Sequence, residues 1–287
     1  MIGVSPAYFI SSFGTAFGPE HIASGLPFLA KAGYGGFQAE VFLESTLPAW
    51  TPEATTSVIT TADSLGLHCT AFVAHFLGGA FSTEAALAAG PGGATGASVS
   101  KALSIAAAFP DNHIFVLPLP AFSGNTEAVR GLFLSRLQAL LTDVEAAGFE
   151  LALELMPGNV LGGSAAFRAL CSGTGSESAS VFRSLRLLFD TGHFWAMGEQ
   201  VAGLPAVLGD RMVATHLCDN DGVENLSLCP GDGTIPFAAT AAALKKASYS
   251  GSYDVEIVCP RERVNHEYSK AVARLKNMEK GTYSDRQ

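Results

Sequence analysis

The sequence predicts an α/β fold, a single closed (β/α)8 barrel spanning residues 1–287. Three observations carry this. Apolar strand-like runs and helix-like segments alternate eight times with no break in composition, the pattern of parallel strands joined by helical crossovers. The stretch Leu185-Arg-Leu-Leu-Phe-Asp-Thr-Gly-His193 is a short apolar run that ends abruptly in an acid, a small turn pair and a histidine. A buried parallel strand delivers polar groups at its C-terminal end in this way. Finally, an open doubly wound sheet needs a Gly-rich phosphate turn after its first strand, and Ser11-Ser-Phe-Gly14 is a poor match.

In chain order, residues 2–10 read as the first strand, weakened by Pro6. Pro19-Glu20 opens a helix through about Lys31, stopped by Gly33. Residues 36–43 form the second strand, with Glu40 near its end. Thr51-Pro-Glu-Ala supplies an N-cap threonine, a proline at the first helical position and an acid in the first turn; that helix ends at Gly66. Residues 67–76 form the third strand, carrying His75, whereas His68 at its start belongs to the opposite face. Residues 78–97, rich in Gly and Ala, read as a mobile loop that could act as a lid. A helix over 98–109 leads to strand four at 113–120. Asn125 or Thr126 starts a long helix whose Val129, Leu132, Phe133, Leu137, Leu140 and Leu141 follow a helical period. Strand five (151–155) carries Glu154. Residues 167–185 read as helix broken by a Gly/Ser-rich patch, and strand six ends at Asp190. A helix near 199–208, strand seven (212–219), a helix near 237–247, strand eight (253–258) and a helix near 265–278 complete the series, with a polar, frayed tail at 279–287.

Net charge is −9 with 17 Lys+Arg and no basic run, which disfavours a nucleic-acid partner, since phosphate neutralisation needs a basic face. The start lacks the basic and apolar regions of a signal peptide, and no apolar run approaches the ~18 residues of a membrane span. The five cysteines are odd in number and lack CxxC spacing, as expected for reduced thiols. A cytoplasmic protein without membrane partner is expected; the oligomeric state, a homo-oligomer included, stays open.

Glu154, Asp190, His216 and Glu256 stand at the ends of strands five to eight. An isolated acid near a strand end is usually a cap or a surface charge, but in a barrel these four converge on one face. Three carboxylates sharing a small, partly buried space need a cation. Oxygen ligands with one imidazole suit a single divalent metal ion, Mn²⁺, Mg²⁺, Co²⁺ or Zn²⁺. Arg261 and Arg263, just past strand eight, could hold an anionic substrate beside the Gly231/Gly233 loop, where barrels build phosphate sites. Phe194 and Trp195 are candidates to wall the pocket.

The ordered set resembles the xylose isomerase-like TIM barrels: Glu on strand five, Asp-Thr-Gly-His on strand six, His216-x-x-Asp219 on strand seven followed by Gly231-Asp-Gly233, and Glu on strand eight. These include sugar and sugar-phosphate isomerases and epimerases, inosose dehydratases and class II AP endonucleases. The likeness covers nearly the whole chain in element order, with specific matches confined to strands five to eight. It implies that Glu154, Asp190, His216 and Glu256 hold one metal, and that Glu154 and Glu256 shuttle a proton beside a carbonyl through an enediolate. It also implies that His193, Glu40 and His75 contact substrate hydroxyls, and that Asp219 orients His216 or its neighbourhood. The implied substrate is a small carbohydrate, sugar phosphate or keto acid, and an inosose-type dehydratase on the same metal is the alternative. Ketose 3-epimerases usually place an arginine shortly after the strand-seven histidine, whereas Asn220-Asp-Gly-Val-Glu224 stands here. The AP endonucleases need further histidines for three metals. Strand four ends Leu117-Pro-Leu-Pro120, and Cys229 and Gly231 occupy the positions of the required Asp-x-His pair, so DNA cleavage is not expected. A non-catalytic ligand-binding barrel would not need all four ligand positions.

Overall fold

Eight short parallel strands form one sheet: β1 (Ile2–Val4), β2 (Gly36–Glu40), β3 (His68–Val73), β4 (Ile114–Leu119), β5 (Glu150–Leu155), β6 (Arg186–Asp190), β7 (Met212–His216) and β8 (Tyr253–Val255). The computed structural model describes residues 1–89, 96–173 and 177–280. The strand order is β7-β6-β5-β4-β3-β2-β1-β8, so the two ends of the sheet meet and the barrel predicted from the alternation is the observed fold. Helices lie between the strands: α1 (Ala7–Phe13), α2 (Pro19–Ala32), α3 (Pro52–Leu65), α4 (Glu84–Ala89), α5 (Gly96–Ala108), α6 (Thr126–Ala146), α7 (Ser164–Ser172), α8 (Thr191–Ala196), α9 (Leu204–Leu208), α10 (Phe237–Lys246) and α11 (Val264–Glu279). None of the described helices is long and apolar enough to cross a membrane, and all five cysteines are unpaired.

The helix signals act where the residues predict. Thr51 Oγ1 accepts from Ala54 N at 3.2 Å, and Asn125 Oδ1 accepts from Glu127 N at 3.1 Å and Ala128 N at 3.2 Å. Gly33 and Gly66 close α2 and α3 in the left-handed region, at φ 91° and 66°, where a Cβ would be strained.

Closure is uneven. The β7–β8 junction is an isolated bridge at Leu217 and Val255. Leu217 N donates to Asp254 O at 2.8 Å, and Glu256 N donates to Leu217 O at 3.0 Å. A side chain completes the seam: the Thr215 hydroxyl donates to Ser252 O at 2.9 Å and accepts from Asp254 N at 3.2 Å.

Strand residues alternate between the helix layer and the barrel interior. A small interior cluster of Ala71, Val73, Val116, Ala152, Leu188 and Ala214 fills the β3–β7 side. Glu154, Asp190 and His216 each lie two residues beyond an interior member, so they share its face, at the C-terminal end of the barrel. On the β8–β1–β2 side the interior is polar, with Gln38 and Asp254 fully buried.

Two stretches differ from the sequence reading. The first strand stops at Val4, and Pro6 turns the chain into α1 with φ −59° and ψ −18°. Ser5 Oγ accepts from Ala7 N at 3.2 Å, and Tyr8 and Phe9 pack into the helix layer. An apolar run of this length does not by itself separate strand from helix. Residues 78–89 do not form an open lid. They continue a 3-10 segment, His75–Phe81, into α4, with Phe81 edge-on to Phe133 of α6 at 6.0 Å and Leu87 fully buried. Small residues here allow close packing: a Cβ at Gly78 would overlap Pro118 O. The rest of the expected lid, 90–95, and the tail at 281–287 lie outside the described residues, as does part of the Gly/Ser-rich patch, at 174–176.

Leu188 is the largest member of the apolar interior cluster and is fully buried. Leu188→Ala should cost about 3 kcal/mol, read as a lower urea midpoint at unchanged slope. Val223, 76% exposed, should tolerate alanine within about 0.5 kcal/mol.

Candidate functional site

Asp190 ends β6 and begins α8, and its two oxygens do different work. Oδ1 accepts from His193 N at 2.7 Å as the cap of α8, while Oδ2 is buried with no hydrogen-bond partner. The next residues make that turn possible. Thr191 Oγ1 donates to Cys218 O at 2.6 Å and accepts from Cys218 N at 3.0 Å, tying the turn to the end of β7. Gly192 leaves room for its neighbours, since a Cβ would overlap Asn225 Oδ1 and Cys218 Sγ. His193 then faces the barrel end, its Nδ1 3.5 Å from Asp190 Oδ2 and 3.7 Å from Glu154 Oε1.

His216 is the meeting point. Its Nδ1 lies 2.9 Å from Glu154 Oε1, 2.8 Å from Glu256 Oε2 and 3.8 Å from Asp190 Oδ2. Its Nε2 lies 2.9 Å from Gln38 Oε1. Glu154, Asp190, His216 and Glu256 each offer a ligand atom within 4.8 Å of the others, close to the ~4.6 Å span of a coordination shell with ~2.3 Å bonds. One nitrogen facing three carboxylate oxygens cannot satisfy them all with one proton, and Asp190 Oδ2 is left over. This donor set fits a divalent cation, with imidazole Nδ1 as the nitrogen ligand.

The electrostatics agree. Burial raises the Asp190 carboxyl to about 6, opposed by His193 and reinforced by Glu256 and Glu154. Burial also acts on Glu256, but the charge and hydrogen bond of His216 outweigh it and bring the group down to about 2. For both histidines burial favours the neutral ring. The carboxylates prevail, Glu256 and Glu154 at His216 and Asp190 and Glu154 at His193, and both are raised.

The other predicted residues fall into three groups. Glu40 and His75 meet beside the cluster, His75 Nδ1 3.6 Å from Glu40 Oε1, with Phe42 stacked on the His75 ring at 4.1 Å. Burial holds Glu40 well above the usual carboxylate range, with Glu154 adding to it, and burial lowers His75. Burial thus favours the neutral form of both groups. Asp219 does not reach His216. Its Oδ1 accepts from Asn220 N at 2.9 Å and Ile235 N at 3.0 Å, and its Oδ2 from Gly231 N at 2.9 Å. It is the hub of the loop after β7, because backbone N–H groups along that loop donate to both of its oxygens.

Arg261 opens an exposed 3-10 turn after β8. Arg263 pairs with Glu267, and Asp232 in the Gly231-Asp-Gly233 turn pairs with Lys270 and Arg274, both at 2.6 Å. That turn is a clip onto α11, which leaves it less suited to an anion than the sequence suggests. Phe194 is core, stacked on Phe189 at 5.7 Å, while Trp195 Nε1 donates to Thr234 Oγ1 at 2.9 Å. His68 lies at the far end of the barrel, paired with Asp111 at 2.9 Å.

The sequence reading missed Gln38 and Asp254. Both stand two residues before a predicted site residue, Glu40 or Glu256, and hence on the same inward face. That parity was the available signal.

Comparison with known proteins follows the geometry. A family model described as xylose isomerase-like TIM barrel matches residues 26–278. No curated protein is significantly similar in sequence. Among solved structures, D-allulose 3-epimerase from Methylomonas sp. is 16% identical, with 96% of this chain and 97% of that one covered at a TM-score of 0.72. The IOLI protein with a binding zinc atom is 16% identical, with 99% of each chain covered and a TM-score of 0.73. The 3-keto-D-glucoside 4-epimerase YcjR from E. coli is 18% identical over 96% of this chain and 98% of that one, with a TM-score of 0.71. At these identities the structural likeness is one of fold. The family model spans most of the sequence, and the chain belongs to the xylose isomerase-like TIM barrel family.

Proposed function

We propose that this chain is a divalent-metal-dependent isomerase or epimerase of a small sugar or related keto compound. In this reading Glu154 and Glu256 move a proton at the carbon beside a carbonyl. The observation that carries it is the approach of those two carboxylates, from β5 and β8, to one nitrogen of His216, at 2.9 and 2.8 Å. Fold neighbours that are sugar epimerases support the substrate class, and one with a zinc atom supports the metal.

When bound, a divalent ion would polarise the substrate's carbonyl and hydroxyl oxygens and stabilise charge developing beside the carbonyl. Its ligands would be Glu154, Asp190, His216 and Glu256. Glu256, kept ionised by its histidine neighbours, stands to take the proton, and Glu154 stands to return it. Return to the opposite face inverts the centre; return to the neighbouring carbon moves the carbonyl. His193, Glu40 and His75 would hold hydroxyls. Burial disfavours charge on both Glu40 and His75, which suits an uncharged polyol. Arg261 is left as an outer contact for an anionic substituent. Asp219 contributes by holding its loop.

A second reading is loss of water, as in an inosose-type dehydratase. The buried Nδ1 of His193, without a hydrogen-bond partner, is suited to protonate a departing hydroxyl.

Three outcomes are expected. Mn²⁺-loaded protein in deuterated water should exchange the proton beside the carbonyl of a ketose. Glu154→Gln or Glu256→Gln should slow exchange by roughly 10²–10⁴-fold while the circular dichroism spectrum is unchanged. Water loss from a keto-inositol would favour the second reading, and no exchange across ketoses, keto-inositols and hydroxypyruvate would sink both.

One Mn²⁺, Co²⁺ or Zn²⁺ per chain should bind, with at least a ~10-fold loss in Asp190→Asn. Uptake must displace a proton from His216, so affinity should rise with pH in a calorimetric titration.

Metal-free stability should also depend on pH. His216, raised above its ordinary 6.5, adds stability fully present below that value and lost as pH climbs through the folded one. Glu256 adds stability above its ordinary 4.5 that is lost as pH falls through about 2. The Tm of metal-free protein should therefore drop as pH rises above neutral. The drop should be smaller in His216→Gln; an identical pH profile in that variant would count against this assignment.

A further inference from the structure

We propose that Gln38 and Asp254 are positioning residues for His216: Asp254 fixes the direction of the Gln38 amide, and that amide fixes which ring nitrogen faces the metal ligands. The proposal rests on the metal reading above.

All three side chains are buried: Gln38 and Asp254 are 0% exposed and His216 is 2% exposed. Gln38 Nε2 donates to Asp254 Oδ2 at 2.8 Å. The same oxygen accepts from Ser252 Oγ at 2.6 Å and lies 2.9 Å from Thr70 Oγ1. Oδ2 already takes the Ser252 and Thr70 hydroxyls as an acceptor, so the Gln38 amide turns its NH2 group toward Asp254. Its Oε1 is thereby aimed at His216 Nε2, 2.9 Å away. That carbonyl also only accepts, so Nε2 must carry a proton. The lone pair of a neutral ring is then on Nδ1, the nitrogen that faces Glu154, Glu256 and Asp190. A metal-bound imidazole depends on this kind of support for its tautomer and its orientation.

Two further features show that the barrel accommodates the chain at a cost. Asp254 Oδ1 is buried without a partner, an expensive placement in a protein interior. Gly3 on β1 is needed to admit it, because a Cβ there would overlap that oxygen. Gln38 joins the carboxylate to His216 by consecutive hydrogen bonds, and hydrogen bonds in such a chain polarise one another so that Oε1 becomes a better acceptor.

The test uses ¹⁵N-histidine-labelled full-length protein, metal-free and Zn²⁺-loaded, with Zn²⁺ and Co²⁺ affinities measured by competition against a chromophoric chelator. Wild type should show a slowly exchanging imidazole N–H, assigned to His216 Nε2 by its loss in His216→Gln. Gln38→Leu should lose that resonance and bind both ions about 10–100-fold more weakly. Asp254→Asn, nearly isosteric, lets a donor face Gln38 and should weaken binding in the same direction, so it carries the test if Gln38→Leu does not fold. Val116→Ala loosens the same interior without touching the chain of bonds, and should keep wild-type affinity. Persistence of the resonance in Gln38→Leu, or affinity within about threefold of wild type in both variants, would overturn the proposal. Failure of wild type to bind either ion would remove the metal reading instead, and the resonance in metal-free protein would still decide the relay.

Discussion

Two buried carboxylates and a half-buried third meeting one imidazole nitrogen set the terms for this end of the barrel. Each acid stands at or just past the C-terminal end of a strand packed into the barrel wall, so none can move to solvent without disturbing its strand. The charges must be balanced in place. His216 and His193 supply that balance in the chain itself, which is why both rings are raised despite burial. Charge crowding alone suggests that removing any one acid would relieve the fold. The contact of Glu256 with His216 at 2.8 Å reverses this for Glu256, since its loss would leave a charged ring short of a partner.

Much of the architecture was legible because it rests on short-range signals. Thr51, Asn125, Gly33 and Gly66 each act through atoms a few residues away, so local spacing revealed them. Short apolar runs ending abruptly in an ionisable residue brought out Glu154, Asp190 and His216 for the same reason. Where the outcome depended on tertiary packing, the sequence was ambiguous. Residues 7–10 are apolar enough for a strand, and become a helix because Ser5 and Pro6 start one. Residues 78–89 look too small to pack, and pack closely because they are small. The relay from Asp254 to Gln38 joins positions 216 residues apart, and no local pattern reports such a bond. Asp219 was expected to orient His216 or its neighbourhood, but its partners are backbone N–H groups that no side-chain motif encodes.

The Asp-Thr-Gly-His turn shows how closely support and chemistry are shared. One Asp190 oxygen holds a helix while the other faces the ligand cluster, so a longer acid could not serve both positions at once. Thr191 binds the strand-seven end, and through it the backbone that carries His216. The four residues therefore set the spacing between β6 and β7 as well as their own contents.

The uneven closure of the barrel has a consequence for its mechanics. Seven junctions are laced by strand ladders, while β7 and β8 are joined around Leu217 and by the Thr215 hydroxyl. His216 and Glu256 stand on opposite lips of that gap. An ion shared between them would act as a rivet, converting the weakest line of the cylinder into a cross-linked one. Loading and emptying the site would then stiffen and slacken the whole hoop, and the ligand cluster would double as the barrel's clasp.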